Sequence, residues 1–485
     1  MLFNSHEFIL AFFPITFLGY LFFYRTCGFR NGKIWLVCCS LVFYAWSNWN
    51  FLFLITLSIF GNYIHNRLLF KTSISQRKRR IIFATGLAFN LGLLGYYKYT
   101  DFFIENINAV FGANLPLWKL VLPLGISFYT LQQIGFLIDA YDGLIKKVTF
   151  IDYGLFVTFF PQLIVGPIVH QKEMLPQFKE YQKPEYKNIV KGIYIFSIGL
   201  FKKIVLADTF AVWATNGFDK ASSLSFIDSW LTSLSYTFQL YFDFSGYSDM
   251  AIGLALCFNI RIPTNFNSPY LSRNIIEFWQ RWHITLSDFI MSYVYTPIIR
   301  SFTNITFAKI LFTSFITMMI VGFWHGASWS FILFGALHGA ALALNHFFKK
   351  KKIKLNRYLS WFITFNFVNI TLVIFRGNNF SSIGKVLRGM LGLGGIVLPY
   401  ALASHLSFLS RTGITFGSYL QGIAADATVF AWLVVGFCLI IFFKNSNKHL
   451  EDFSPSVKTF IVGLILFYFS ILQIGSYSEF LYFKF

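Results

Sequence analysis

The chain has 485 residues, of which 56% are hydrophobic and only 12% charged, and it holds 64 phenylalanines. So little charge cannot cover a soluble protein of this size, whereas apolar segments of about 17–25 residues, each long enough to cross a bilayer, recur from end to end. The formal charge of +20 sits in short loops between apolar runs, as the positive-inside rule expects, which argues against a nucleic-acid binder.

Continuous apolar runs predict an all-α polytopic membrane protein rather than a barrel of alternating strands. The first run, Phe8–Tyr24, follows His6 and Glu7 and precedes Arg25, Arg30 and Lys33, which places the N-terminus outside. With no basic leader and no small-residue cleavage site, it reads as a retained helix rather than a signal peptide. Ile34–Trp46 returns outward, Phe51–Phe70 leads to the cytoplasmic mark QRKRR (76–80), and Ile81–Tyr99 goes out again. Residues 101–119 are too short and polar to span and read as an amphipathic piece on the outer face. Val121–Tyr141 comes back to Lys146 and Lys147. In YGLFVTFFPQLIVGPIVH (153–170), Pro161, Gly166 and Pro167 predict a broken or re-entrant segment.

Beyond the basic loop 171–187, helical runs are expected at 188–207, 227–258, 274–298, 305–323, 329–348, 358–375, 428–443 and 457–474. HFFKKKKIKLNR (346–357) is a second cytoplasmic mark. The total is about 11–13 membrane segments, several of them interrupted. Without a Gly/Ser-rich linker or an internal repeat, residues 1–485 read as one domain. Cys27, Cys38, Cys39, Cys257 and Cys438 lie in or beside apolar runs with no CxxC spacing, and read as small buried hydrophobes.

A charge at the centre of a membrane helix costs about 2.5–3.5 kcal/mol on insertion scales, so polar residues there are functional candidates. Read as one helix, NIIEFWQRWHITLSDFIMSYVYTP (274–297) puts Glu277, Arg281 and Asp288 close to one face, where they neutralise each other. His283 stands about 240° round from Glu277 on that helix. In GFWHGASWSFILFGALHG (322–339), His325 and His338 are about 220° apart on a continuous helix. They share one site only if the chain breaks between them, and GASWS (326–330) is the expected break. His325 would then end a helical piece, ringed by Trp324 and Trp329. A neutral imidazole there is what a general base must be.

QLYFDFSGYSDMAIG (239–253) has Asp243 and Asp249 flanking Ser245-Gly246. It reads as a broken helix whose carboxylates pair with Lys202, Lys203 or Arg261, or else line a polar tunnel. No GxSxG elbow, phosphate-binding glycine loop, HExxH or glycosidase carboxylate pair accompanies these positions. The spacing of His283, His325 and His338 matches no local metal-ligand pattern, and no metal is expected.

FWQRWHITLS (278–287) followed by GFWHGASWSFILFGALHG resembles the membrane-bound O-acyltransferases, in particular the bacterial branch with the alginate and peptidoglycan O-acetyltransferase membrane subunits. FYAW (43–46), LPLGISFYT (122–130), FFPQLIVGPIV (159–169), GLFKKIVLAD (199–208), YFDFSGYSDMAIG (241–253) and the terminal FLYFKF (480–485) are similar as well, so the likeness runs along nearly the whole chain. The family core falls at about 90–375. Departures occur at Met291 and Ser292, where the branch commonly has Arg and Asp, and at Gln132, in place of a histidine.

The resemblance implies a helical fold around a central tunnel, with an acyl donor arriving from the cytoplasm and an acceptor from the other side. It matches the family's invariant histidine to His325, its second polar position to His283, and a further histidine to His338. Trp282, Trp324, Asp243 and Asp249 are then accessory or tunnel-lining residues. The expected activity is O-acetylation of an extracytoplasmic polysaccharide or peptidoglycan by a protein of the bacterial inner membrane. Acetyl-CoA is the expected donor, no cofactor is bound, and a separate periplasmic or surface transferase is the expected partner. D-alanyl transfer to teichoic acid and a non-enzymatic transporter or flippase are the alternatives.

Overall fold

The computed structural model describes residues 1–71, 73–145, 147–179, 184–475 and 481. Of the sequence features above, Lys146, residues 180–183 of the 171–187 segment and all of FLYFKF except Leu481 lie outside the described residues; the described 171–179 part of that expected loop is helical. Among the described residues the regular structure is helical apart from one short pair of parallel strands, β1 (Ile396–Pro399) and β2 (Ile414–Gly417).

The first third of the chain holds α1 (Phe8–Cys27), α2 (Phe29–Ala45), α3 (Asn50–Leu69), α4 (Gln76–Leu94), α5 (Thr100–Phe111) and α6 (Ile126–Tyr141). α4 runs into α5 through a π-helical turn, Gly95–Tyr99, instead of ending at the predicted boundary. Residues 112–125 then fold back, because the Asp101 carboxylate accepts from the backbone N–H groups of Trp118 and Lys119 at 2.7 and 2.8 Å. The 101–119 stretch is therefore one amphipathic helix plus its return loop. The proline-marked segment is broken: α7 (Phe150–Thr158) stops at Phe159, a single turn α8 (Phe160–Leu163) follows, and both are buried.

The centre of the molecule is built from α9 (Gln171–Lys179), α10 (Tyr186–Phe201), α11 (Asp208–Thr215) and α12 (Phe226–Cys257). α12 opens with a Ser225/Asp228 capping box and is buried along almost its entire length. It is continuous, which corrects the break expected at Ser245-Gly246. The glycine serves packing: a Cβ on Gly246 would come within 2.7 Å of the Gly199 carbonyl oxygen of α10. Small residues here let two helix backbones touch, the usual route to tight packing in a membrane.

The segment expected as one helix over 274–298 is α13 (Ile275–Trp279), α14 (Ile284–Ile290), a π turn and α15 (Thr296–Arg300). The break removes the common face. Glu277 and Arg281 still pair at 2.9 Å, but Asp288 is exposed on a different helix.

Next come α16 (Phe307–His325), α17 (Trp329–Lys350), α18 (Arg357–Arg376) and α19 (Phe380–Met390), followed by α20 (Ala403–Leu406), α21 (Thr428–Phe442), α22 (Ser446–Glu451) and α23 (Val457–Leu472). Among the described residues, α1, α16, α17 and α18 are long and apolar enough to cross a membrane, and α21 and α23 are shorter apolar helices. This is an all-α polytopic membrane protein. Cys27 and Cys38 are exposed, contrary to the expectation that the cysteines are buried, and all five thiols are free.

Candidate active site

Two helix breaks place the histidines. At the first, His283 adopts φ +46°, a left-handed conformation unusual for a side chain of this size, and caps α14. The strand-like segment 265–267 holds it there. Phe266 and Trp282 form an antiparallel bridge, Asn267 N–H donates to the Arg281 carbonyl, and Ile284 N–H donates to the Asn265 carbonyl. The buried Asn265 side chain also accepts from the Thr285 hydroxyl at 2.6 Å. Strained backbone that its surroundings over-determine is a common feature of active sites. The His283 ring lies against Phe244 (4.7 Å between centroids) and Phe128 (6.4 Å). It is 0% exposed, and neither ring nitrogen has a hydrogen-bond partner among the described residues. Such groups cost free energy and call for an explanation.

At the second break, α16 ends on His325, Gly326 continues extended at φ −168°, and α17 starts at Trp329. Any residue can adopt that conformation, so the requirement for glycine is spatial: a Cβ there would collide with the Phe331 ring. Trp324 packs on the imidazole at 5.0 Å as expected, whereas Trp329 does not. The Trp329 side chain is 55% exposed and donates to Asn106 Oδ1 at 3.0 Å. Phe375 of α18, at 5.2 Å, takes the place expected for Trp329. The His325 ring is 5% exposed and makes only ring contacts among the described residues.

His338, inside α17, is different. Trp279 Nε1–H donates to its Nδ1 at 3.2 Å, and its Nε2 lies 2.9 Å from the Thr371 hydroxyl. Because Nδ1 accepts, the proton sits on Nε2 and donates to Thr371, which in turn donates to the Val368 carbonyl. Both nitrogens are used, and His338 ties α13, α17 and α18 together.

The break does bring the three histidines into one neighbourhood. Phe334 touches both His325 (6.5 Å) and His338 (4.4 Å), and Phe128 lies between His283 and Trp324 (5.5 Å), whose ring packs on His325. Trp282 forms part of the wall, packed on Phe266 and Phe278 at 5.1 and 5.6 Å. Two cavities lie beside the helix breaks, and none of the three histidines lines either one. One of about 290 Å³ is lined by Lys98, Asp101, Gly326 and Ser328. The other, about 410 Å³, is lined by Trp279, Ser287, Met318, Val321 and His346.

Asp243 and Asp249 are occupied elsewhere. Asp243 pairs with Lys203 at 2.8 Å and accepts from the Leu481 N–H, while Asp249 pairs with Lys202 at 2.7 Å and accepts from the Ser446 hydroxyl. Among the described residues Arg261, the third cation considered, makes no ion pair with them. Its backbone carbonyl and N–H instead bond the side chain of Gln177. Among the described residues, no three His, Cys, Asp or Glu side chains are grouped to hold a metal ion.

Sequence reasoning overlooked Asn265, Phe375 and Lys98. Lys98 left a usable signal, as a lone cation at the end of the 81–99 apolar run. Asn265 left none, because its role depends on a loop that meets the QRWH corner only in space.

The model of the membrane-bound O-acyltransferase family matches residues 138–382, a stretch that contains all three histidines. The chain belongs to the membrane-bound O-acyltransferase family. It is 44% identical to a peptidoglycan O-acetyltransferase from Helicobacter pylori over 100% of this chain and 98% of the relative. A probable alginate O-acetylase AlgI from Pseudomonas aeruginosa is 36% identical over 90% of this chain and 81% of its own length. A teichoic acid D-alanyltransferase from Bacillus subtilis is 31% identical over 55% and 71%. The protein is therefore an acyltransferase embedded in a membrane, and the transporter alternative falls.

Proposed function

We propose that the chain transfers acetyl groups from acetyl-CoA on the cytoplasmic side, across the bacterial inner membrane, for O-acetylation of extracytoplasmic peptidoglycan or a polysaccharide. The carrying observation is His283, a fully buried imidazole with no hydrogen-bond partner among the described residues, connected through the Phe128 and Trp324 rings to a second imidazole, His325, that makes only ring contacts there. A structural histidine in an apolar slab is satisfied, as His338 is; an unsatisfied one suits a group that must be free to bond a reacting atom. The full-length likeness to a peptidoglycan O-acetyltransferase supports acetyl as the group and a cell-wall polymer as its destination.

In this reading His325 removes the proton from the attacking hydroxyl. The hydroxyl oxygen bonds to the acetyl carbonyl carbon, and His283 donates an N–H to the oxyanion that forms. The carbon–sulfur bond then breaks, and coenzyme A leaves as a thiolate that takes the proton back from His325. General-base assistance contributes about 10²–10⁴-fold. Each oxyanion donor contributes about 10²–10³-fold.

Trp282 and Trp324 wall the site, and the two cavities are the entrances for donor and acceptor. His338, Asp243 and Asp249 hold the scaffold. The basic loops attract the donor phosphates by simple electrostatics. A separate periplasmic or surface transferase docks on the 101–119 or 376–427 region, supplies the attacking hydroxyl, and passes the acetyl group from its own ester to a hydroxyl of the polymer.

The test replaces His325 with Ala, confirms membrane abundance and measures base-released O-acetyl from purified envelope polymers. Acetylation at the normal level would sink the reading. Labelled acetyl-CoA against an aminoacyl carrier protein separates acetyl from D-alanyl transfer, the activity named for relatives that align with about half of this chain.

A further inference from the structure

An α-helix leaves its last carbonyls without helical partners, and inside a membrane no bulk water takes over. α16 ends this way at His325, and the acceptors at its end are met by two residues of the π turn between α4 and α5. The Tyr99 hydroxyl donates to the Phe323 carbonyl at 2.9 Å. The Lys98 ammonium donates to the carbonyls of Trp324 (2.6 Å) and His325 (3.2 Å). Its third N–H goes to the Ser127 hydroxyl at 3.1 Å, in the first turn of α6.

An ammonium has three donors. All three are engaged with protein, so none is left for a substrate. A cation at a helix C-terminus also complements the helix dipole. The Ser127 bond reaches further. Its neighbour Phe128 is the ring that touches both His283 and Trp324. One side chain thus ties the backbone of the His325 corner to the ring that lies between His283 and Trp324, the tryptophan packed on His325.

We infer that Lys98 is a positioning residue for acyl transfer: its ammonium locks the end of α16 and the start of α6 in the register that aligns His325 with His283. This rests on the reading of His325 as the base. Misplacing a reacting group by about 1 Å costs on the order of 10²-fold.

The cavity of about 290 Å³ that includes Lys98, Gly326 and Ser328 in its lining provides a specific test. Lys98→Ala removes the three carbons and the nitrogen of n-propylammonium, and the cavity offers that cation a way back. In permeabilised cells, Lys98→Ala is expected to lower base-releasable O-acetyl by about 10- to 100-fold at unchanged membrane abundance. Added n-propylammonium should restore it with saturation, and n-propanol should not. Lys98→Met, which keeps the aliphatic stem, is the second variant, for use where the alanine protein fails to accumulate.

Wild-type acetylation in Lys98→Met, while His325→Ala is inactive, overturns the inference and leaves the base assignment standing. Loss in Lys98→Ala that propylammonium cannot reverse, in protein of normal abundance, also overturns it. Normal acetylation in His325→Ala overturns the base assignment instead.

Discussion

Two regions of the protein bury polar side chains, and they do so in opposite ways. Between α10 and α12, Lys203 bonds Asp208 and Asp243 at 2.8 Å each, and all three are essentially inaccessible. Lys202, Asp249 and Ser446 form a second closed set beside them. Around the two helix breaks, the His283 ring is equally buried with no hydrogen-bond partner among the described residues, and the His325 ring packs against Trp324, Phe334 and Phe375. Satisfied charge fixes helices against each other; unsatisfied imidazole is chemistry held in reserve. Burial alone does not distinguish the two, but bonding does.

This contrast makes graded predictions. His325→Ala should reduce O-acyl transfer by about 10²–10⁴-fold with normal folding, measured as polymer O-acetyl per unit of membrane protein. His283→Ala should cost about 10²–10³-fold, and melting in detergent should stay within a few degrees of wild type, because no native hydrogen bond is lost. A large drop in stability for His283→Ala would blur the contrast.

Lys203→Met should behave the other way round. Breaking a buried ion pair costs about 3–5 kcal/mol, so thermal unfolding and abundance fall first and activity falls with them. Adding Asp243→Asn should recover part of the loss, since one of the two stranded carboxylates is removed. Thr371→Val deprives the His338 N–H of its acceptor and should cost about 1–3 kcal/mol in stability. Full activity per folded molecule would place His338 with the scaffold. Glu277→Gln breaks a part-exposed pair and should change the melting free energy by about 0–1 kcal/mol.

The break at GASWS was legible because glycine and serine interrupt an apolar run visibly. The break at QRWH was not. Its residues carry no proline or glycine, and a helical wheel drawn through them put Asp288 on a face that does not exist. Competition from the 265–267 segment, which offers Asn265 and a bridging backbone, overrode local helix propensity there. At SGYSD the error ran in reverse: a glycine that looked like a breaker is a contact surface for α10.

Sequence by itself determined the class, since membrane spanning depends on apolar length and on the cost of charge in hydrocarbon, both of which are local. It also marked the three histidines, through their rarity in apolar surroundings. Tertiary structure alone decided which of them are spoken for. Hydrogen bonds such as Trp279 to His338, or Lys98 to the end of α16, join residues 59 and more than 200 positions apart. Pairing at that separation depends on how helices stack, and no local pattern encodes it.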